Sequence, residues 1–247
     1  MTNDSFYTPP YLADKLTMHC RRKCPDRIAD FAAGDGSLLI SASKRWPGAR
    51  LFAMDISSDA IQAIRRKLPH AEVVLQDFFD SSSIATPKFD LVLLNPPFTC
   101  RGSKTASTSV NGRTFRSSLA LAFVARAVDY LEKDGQILAL LPASCLTSEK
   151  DARLREYLME ERGMDCISEP VSRAFLGCDV QVQLVELSRS PRKRAVRLRH
   201  HRQRQNEEPT INVVVKRGGG GSWGRKVVRR HDPLCSHHFV EKWHGSF

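Results

Sequence analysis

Two patterns in this 247-residue sequence predict an α/β fold with a doubly wound, mostly parallel sheet. Over residues 1–188, short apolar runs alternate with segments whose apolar residues recur at helical spacing, as expected for parallel strands joined by helices. Glycine and polar residues follow directly after several of the runs, and ligands of such sheets bind beyond the carboxyl ends of the strands. With 41% hydrophobic residues, the chain can bury one hydrophobic core of the size found in a catalytic domain.

The individual elements follow from periodicity and from capping residues. Strands are expected at residues 27–32, 51–54, 73–75, 89–94, 136–141 and 180–187. Helices are expected at residues 11–20, 37–45, 57–67, 119–131 and 150–161, with Pro9 or Pro10 suited to the start of the first and Ser57 or Ser58 to the cap of the third. Residues 99–116 are rich in serine and threonine, and we predict a polar loop there.

The net charge of +11 is concentrated at the C-terminal end of the chain. Residues 1–188 contain 23 Lys and Arg and 23 Asp and Glu, whereas residues 189–247 contain 15 and 4. We therefore divide the chain into a catalytic domain at 1–188 and a short basic tail at 189–247. The basic composition of the tail indicates binding of a polyanion, and its densest run of charge contains Arg192, Lys193 and Arg194. A solvated extension without a binding role would have the same composition.

Composition also indicates the cellular compartment and argues against a membrane-spanning or secreted protein. The longest apolar stretches are well below the ~18 residues of a membrane span, and no secretory signal is visible at the start. The seven cysteines are an odd number scattered from Cys20 to Cys235, which favours a reducing cytosol over a disulfide framework. Cys20 and Cys24 lack a second matching pair, so no metal site is predicted. We expect a cytoplasmic protein without a membrane partner.

Three of the predicted strands end in residues suited to an adenosine. The first runs into residues 30–36 (DFAAGDG), where Gly34 and Gly36 let a ligand approach the backbone, although a glycine turn also serves strand-to-helix packing. The second ends in Asp55, next to Ile56; a carboxylate there accepts hydrogen bonds from both ribose hydroxyls, or it only caps the following helix. The third ends in residues 76–78 (QDF), which place acceptors beside an aromatic ring. Together they predict a nucleoside pocket.

The fourth strand ends in the tetrapeptide Asn95-Pro96-Pro97-Phe98. An exocyclic amino group of a base is a poor nucleophile because its lone pair is delocalised into the ring. The Asn95 side-chain oxygen and the Pro96 carbonyl can accept both of its hydrogens, while the proline rings restrict the backbone. Phe98 offers a face on which a base can stack once it has left the double helix. Prolines also end strands for structural reasons alone, but this would not explain the flanking asparagine and phenylalanine.

On these residues the sequence resembles the class I S-adenosylmethionine-dependent methyltransferases, and among them the gamma-type N6-adenine DNA methyltransferases of restriction-modification systems. The resemblance covers about residues 6–188 and includes the segment YTPP at residues 7–10. It implies a Rossmann-like sheet of seven strands with a C-terminal antiparallel strand, and S-adenosyl-L-methionine as the cofactor. The cofactor-binding residues that it implies, from the methionine end to the adenine, are Thr8, Pro9, Asp30, Ala32, Asp55, Asp77 and Phe78.

The same resemblance implies a catalytic role for residues 95–98 and a stacking role for Phe175 against a flipped adenine, although a core position explains Phe175 equally well. Family members carry a target-recognition domain of well over a hundred further residues, whereas 59 residues follow position 188 here. We therefore expect a truncated chain or a separate specificity subunit.

The predicted function is transfer of the methyl group of S-adenosylmethionine to the N6 amino group of adenine in DNA, directly and without a covalent intermediate. Arg101, Lys104 and Arg113 of the 99–116 segment are predicted to contact phosphates or to help close the site, and an ordinary surface loop is the alternative. Two other functions stay open. One is methylation of RNA bases or of protein glutamine through the same motif, and the other is a non-catalytic, nucleic-acid-binding subunit that retains the fold.

Overall fold

A computed structural model describes residues 7–80, 88–98, 104–175 and 178–188, together with the backbone of residues 211–216 and 223–228. The chain divides into two compact units, residues 1–193 and 194–247. The strands of the first unit are β1 (Arg27–Asp30), β2 (Arg50–Asp55), β3 (Glu72–Leu75), β4 (Phe89–Leu94), β5 (Thr105–Val110), β6 (Arg113–Ser118), β7 (Leu131–Pro142), β8 (Asp165–Cys166) and β9 (Val182–Ser188). Its helices are α1 (Pro10–Thr17), α2 (Ser37–Arg45), α3 (Ser58–Lys67), α4 (Leu119–Ala127) and α5 (Ala152–Arg162).

Seven of these strands form one sheet in the order β3-β2-β1-β4-β7-β9-β8. The first five pair in parallel, β9 is antiparallel to β7, and β8 is antiparallel to β9. The predicted α/β fold, with a mostly parallel seven-stranded sheet and a C-terminal antiparallel strand, is therefore confirmed. The strand order reverses between β1 and β4, and it is beyond the carboxyl ends at such a switch point that open α/β sheets bind ligands.

Strand β4 shows how the helices cover both faces of the sheet. All six of its residues are buried, and alternate side chains of a strand point to opposite faces. Leu91 and Leu93 pack in the core that contains residues of α1, α2 and α3, whereas Val92 and Leu94 pack in the core that contains residues of α4 and α5. A strand buried on both faces has a nearly continuous apolar run in its sequence, interrupted here by Asp90, which is why this element could be predicted with its observed bounds.

The segment predicted as a polar loop at residues 99–116 is instead, from residue 105 onward, the β5–β6 hairpin. Its pairing runs in register from Thr105 opposite Ser118 to Val110 opposite Arg113. The turn consists of Asn111 and Gly112, which have positive φ values of 49° and 74°. A two-residue hairpin turn of type I′ needs positive φ at both positions, and Asn-Gly satisfies this better than most pairs. The loop prediction was wrong because this turn signal was overlooked.

The connection between α4 and β7 also differs from the prediction. Helix α4 ends at Ala127, and β7 begins at Leu131, inside the segment predicted as helix. Leu131 pairs with Phe89, and the register then shifts so that Gln136 pairs with Leu91. A Cβ atom at Gly135 would lie 2.8 Å from the Phe89 carbonyl oxygen. The backbone at position 135 can therefore come this close to β4 only because the residue is glycine. The remaining predicted elements agree with the observed ones to within about three residues at either end, a difference usual for boundaries predicted from sequence.

The second unit contains the antiparallel pair β10 (Ile211–Lys216) and β11 (Trp223–Val228). The predicted nucleic-acid contacts Arg101, Arg192, Lys193 and Arg194 lie outside the described residues. Within the described part of the chain, no helix is long and apolar enough to cross a membrane.

Candidate active site

A cavity of about 650 Å³ lies at the carboxyl ends of five parallel strands. Each of these strands contributes a residue at or just beyond its end: Ala32 from β1, Asp55 from β2, Asp77 from β3, Asn95 from β4 and Pro142 from β7. The cavity therefore occupies the place that the sheet topology designates for a ligand. We call the part lined by residues after β1, β2 and β3 the cofactor half, and the part lined by residues after β4 and by the segments around α4 and β7 the acceptor half.

The cavity brings together most, but not all, of the residues singled out in the sequence. Those on its wall are Ala32, Gly34, Asp55, Ile56, Asp77, Phe78, Asn95, Pro96, Pro97, Phe98 and Lys104. The described candidates that do not line it are Thr8, Pro9, Asp30, Gly36, Arg113 and Phe175. Among these, Thr8 is buried, Pro9 precedes α1 as its cap, and Gly36 caps α2 with a φ of 84°.

Asp55 is held in the cofactor half by two backbone amides. The N–H of Gly34 donates to Oδ2 at 2.8 Å, and the N–H of Ser57 donates to Oδ1 at 2.9 Å. The cap of α3 is the hydroxyl of Ser57, which accepts from the N–H of Ala60 at 3.3 Å, so capping the helix does not require Asp55. Because each carboxylate oxygen can accept more than one hydrogen bond, Asp55 retains acceptor capacity at the cavity wall for vicinal hydroxyls.

The loop between β1 and α2 is shaped for close approach. Gly34 has a φ of 55°, and a Cβ atom there would lie 3.1 Å from Cδ1 of Tyr7, whose ring lines the cavity. Behind the loop, Nζ of Lys67 donates to Oδ2 of Asp35 at 3.0 Å, and the Ser37 hydroxyl donates to Oδ1 of Asp35 at 2.6 Å. Burial alone would raise the pKa of Asp35, but the hydrogen bonds from Ser37 and Lys67 outweigh it and lower that pKa. These bonds fix Asp35, the residue that follows Gly34 in the loop.

Asp30 lies behind the cavity wall rather than on it. It is 1% exposed, and its Oδ1 accepts a hydrogen bond from the N–H of Ala32 at 3.0 Å. Burial raises the pKa of Asp30 to about 8; the hydrogen bond from Ala32 opposes this rise, whereas the negative charges of Asp55 and Asp35 add to it. Asp30 therefore carries a proton over much of the neutral pH range and orients Ala32, which does line the cavity.

The third strand end offers one carboxylate and one accessible aromatic ring. Oδ1 of Asp77 accepts from the N–H of Phe79 at 2.8 Å. Phe78 is buried and stacks on Phe31, with ring centroids 4.6 Å apart and planes 9° from parallel. Phe79 is only partly buried and also lines the cavity. The sequence interpretation assigned the adenine face to Phe78, but Phe79 is the more accessible of the two rings.

The tetrapeptide 95–98 begins directly after β4 and forms one wall of the acceptor half. Asn95 is partly buried, Pro96 is buried and Pro97 is exposed. The ring of Phe98 lies 5.6 Å from that of Phe175, at 52°, and Phe175 is 4% exposed. Phe175 thus contacts Phe98 rather than the cavity, which corresponds to the core position left open by the sequence.

The other wall of the acceptor half depends on Asp151, which is fully buried. Its Oδ1 accepts from the N–H of Ser118 at 2.6 Å, and its Oδ2 accepts from the hydroxyl of Ser148 at 2.9 Å. Arg155 donates to the carbonyl oxygens of Cys145 at 3.3 Å and Ser148 at 3.0 Å. These bonds join the end of the hairpin to the segment after β7, and both segments line the cavity. Sequence reasoning missed Asp151 because nothing local distinguishes it from a solvated acid.

Cys145 lies on the same wall and is 2% exposed. Burial raises the pKa of its thiol to about 11, a hydrogen bond with Ser118 partly opposes this, and the thiol is protonated at neutral pH. Cys20, Cys24 and Cys166 are free as well, whereas Cys178 is disulfide-bonded. Among the described residues, no group of three or more His, Cys, Asp or Glu side chains could hold a metal ion.

Comparison with known proteins identifies relatives of several substrate classes. Residues 11–156 match the family model described as Methyltransferase small domain. A ribosomal protein uL3 glutamine methyltransferase from Bordetella pertussis is 31% identical over 141 residues, which cover 54% of this chain and 42% of that protein. A tRNA1(Val) (adenine(37)-N6)-methyltransferase from Bacteroides thetaiotaomicron is 26% identical over 152 residues, which cover 58% of this chain and 63% of that protein. The chain therefore spans less than two thirds of either curated relative.

A solved structure shares the fold of the first unit. It is the methyltransferase subunit of a type I restriction-modification system from Streptococcus thermophilus, which matches with a TM-score of 0.59 and 19% identity over 76% of this chain and 45% of that one. At this level of identity the match concerns the fold.

Proposed function

Because this chain belongs to the methyltransferase small domain family, we propose that it transfers a methyl group from S-adenosyl-L-methionine to the N6 amino group of adenine in DNA. The observation that carries the proposal is the position of residues 95–98 on the wall of the same cavity as Asp55 and Asp77. A surface suited to a nucleoside and a surface suited to an amine thus line the same cavity. We place catalysis in residues 1–188.

S-adenosyl-L-methionine is the methyl donor that the family implies, and the cofactor half fits it. Asp55 would accept hydrogen bonds from the two ribose hydroxyls, Asp77 would accept one from the adenine amino group, and the ring of Phe79 would contact the base. Gly34 allows close approach at the loop, where any side chain would meet Tyr7. When bound, the cofactor supplies a methyl group on a positively charged sulfur.

The acceptor half would make a weak nucleophile reactive. The Asn95 side-chain oxygen and the Pro96 carbonyl would each accept one hydrogen of the amino group, which localises the lone pair on nitrogen. Phe98 would stack on the base, and Phe175 holds the ring of Phe98 in place. These acceptors would hold the amino group with its lone pair directed towards the cofactor half, and bulk water would take the proton that the amine releases.

A second candidate is methylation of a glutamine amide or of an RNA base. It is favoured by the relatives, since the Bordetella pertussis protein is a glutamine methyltransferase and the Bacteroides thetaiotaomicron protein is a tRNA adenine methyltransferase. An amide nitrogen has the same delocalised lone pair and would use the same two acceptors. Adenine in DNA is supported by the order of motifs from YTPP to NPPF and by the fold shared with a restriction-modification methyltransferase subunit. By analogy with such systems, we propose a separate specificity subunit as partner.

The test is to identify the methylated atom. The protein is incubated with isotopically labelled cofactor and, separately, with DNA, tRNA, and ribosomal and release-factor proteins, and each product is digested and examined by mass spectrometry. We expect N6-methyladenine from DNA. Label found only in glutamine or in tRNA would replace the proposal by the second candidate, and label in none of them would favour a binding subunit.

A further inference from the structure

We propose that the acceptor half of the cavity continues into a phosphate-binding track formed by Lys104, Lys150 and the outer face of the β5–β6 hairpin. We define the outer face by five exposed residues: Thr105, Ser107, Ser109, Thr114 and Arg116. This inference rests on the proposed function and narrows its substrate class to a polynucleotide that is held by the phosphates flanking the target base.

The first line of support is the division of charge around the cavity. Among the described residues that line it, the acidic ones are Asp55 and Asp77, both in the cofactor half, whereas the basic ones are Lys104 and Lys150, both in the acceptor half. A cationic methyl donor favours acids at one end, and an anionic acceptor favours lysines at the other. A glutamine side chain is neutral and would gain nothing from two lysines beside it.

The backbones that carry the two lysines are fixed to neighbouring residues. The carbonyl oxygen of Lys104 accepts from the N–H of Leu119 at 2.9 Å. Lys150 precedes Asp151, whose carboxylate accepts from the N–H of Ser118 at 2.6 Å. Because Ser118 and Leu119 are consecutive, the two lysines emerge from segments tied to the same point of the chain.

The outer face of the hairpin extends this surface away from the cavity. Ser107 pairs with Arg116 and Ser109 pairs with Thr114, so that hydroxyls and a guanidinium stand side by side. The Arg116 guanidinium contacts the Thr105 hydroxyl at 3.3 Å, and the Ser109 and Thr114 hydroxyls lie 3.1 Å apart. Residues 104–118 contain three basic and seven hydroxyl side chains and no acidic one. Lysine, arginine, serine and threonine are the side chains that contact phosphate oxygens without reading bases.

Arg113 belongs to the opposite side of the hairpin. Its guanidinium lies 5.8 Å from the centre of the Tyr157 ring, and it lines a cleft that also contains Glu156, Glu160 and Glu161. The Asn111 amide donates to the Tyr157 hydroxyl at 3.0 Å, which pins the turn to α5. The hairpin is thus a docked element with one face towards α5, and Arg113, predicted from the sequence as a phosphate contact, is on that face.

The experiment compares two variants of the full chain with equal net charge. The track variant carries Lys104→Gln, Arg116→Gln and Lys150→Gln. The control carries Lys44→Gln, Arg65→Gln and Lys133→Gln, three exposed positions that do not line the cavity. Binding of a fluorescent adenine-containing duplex, and of an RNA of the same sequence, is measured at several salt concentrations. We expect the slope of log affinity against log salt to flatten by about 2 to 3 units for the track variant, since each phosphate contact contributes about 0.9 on a duplex.

Two further measurements separate the possible failures. Cofactor affinity by calorimetry, unchanged in both variants, shows that they are folded. Identification of the atom that the wild type methylates tests the proposed function separately from the track. If the wild type methylates DNA but both variants have the same salt slope, the track is wrong and the proposed function stands. If the wild type methylates only glutamine, the proposed function itself fails. A slope change confined to RNA supports the track and assigns it to an RNA strand.

Discussion

The two halves of the cavity are built by different kinds of contact. In the cofactor half, the carboxylates are fixed by amides within two residues of them or in the loop after the neighbouring strand. Examples are the bonds of Asp77 with Phe79 and of Asp55 with Gly34. In the acceptor half, Asp151 binds the N–H of Ser118, 33 residues away, and the hairpin is fixed through α5. The cofactor half is therefore a direct product of the sheet, whereas the acceptor half depends on the packing of hairpin and helices above it.

The largest expected effect concerns the residue at the centre of the acceptor half. Asn95→Ala should slow methyl transfer by roughly 10²-fold or more, because the transition state loses one preorganised acceptor. Cofactor affinity should stay unchanged, since Asn95 lies outside the cofactor half. Single-turnover rates and calorimetric titrations test this, with Gln181→Ala, which removes an exposed amide, as the control. Near-normal turnover in Asn95→Ala would mean that the acceptor amine is polarised elsewhere.

The corresponding test of the cofactor half is Asp55→Ala. We expect cofactor binding to weaken by about 1–3 kcal/mol through lost charge-assisted hydrogen bonds, and DNA affinity to remain as it was. Asp59→Ala removes an exposed acid from the first turn of α3 and should leave both affinities unaltered. Unchanged cofactor binding in Asp55→Ala, measured by calorimetry, would show that the ribose does not lie against this carboxylate.

Asp30 makes the cofactor half sensitive to pH. Its carboxyl has a pKa of about 8 in the folded protein, against 3.8 for an unperturbed one, so the folded state holds this proton more tightly than the unfolded chain does. The free energy of unfolding should therefore fall as the pH rises from about 4 to about 8, by at least about 1 kcal/mol. Asp30→Asn keeps an acceptor for Ala32 and cannot ionise, so its decline over this window should be smaller. Equal declines in wild type and variant, measured by urea unfolding, would contradict the assignment.

The smallest expected effect comes from Asp151→Asn, which keeps the shape of the side chain and loses its charge. The bonds to Ser118 and Ser148 should weaken by about 1 kcal/mol, raising the KM for DNA several-fold while kcat and cofactor affinity change little. Asp134→Asn, at an exposed position of β7, is the control. A loss of cofactor affinity in Asp151→Asn would show that the two halves are not built independently.

The contrast also explains what could be predicted from the sequence. Asp55, Asp77 and Asn95 were predictable because chemistry at the ends of parallel strands follows from the order of the elements. Asp151 and Lys150 were not, because their importance arises from contacts between segments distant along the chain. Phe78 and Phe79 show the same limit: both rings follow β3 and line the cavity, and only tertiary packing, including the stack of Phe31 on Phe78, makes Phe79 the more accessible of the two.

Asp30 and the hairpin illustrate two further limits. Asp30 was recognisable as part of a loop motif. Its burial depends on the side chains packed around it, and so does the raised pKa that follows from burial. The hairpin was recognisable in principle from Asn111-Gly112, and it was hidden by the high serine and threonine content of residues 99–116, which is also typical of loops.

The register shift at Gly135 has a practical use for protein engineering. Glu132, Lys133 and Asp134 are exposed on the stretch where β7 departs from regular pairing with β4, and this stretch lies at the N-terminal end of β7, whereas Pro142 and the cavity lie at its carboxyl end. Extra residues inserted between Lys133 and Asp134 would lengthen a bulge that already exists, without changing the pairing from Gln136 onward. An epitope tag or a small fluorogenic peptide placed there would report on the enzyme in cells while leaving both halves of the site intact.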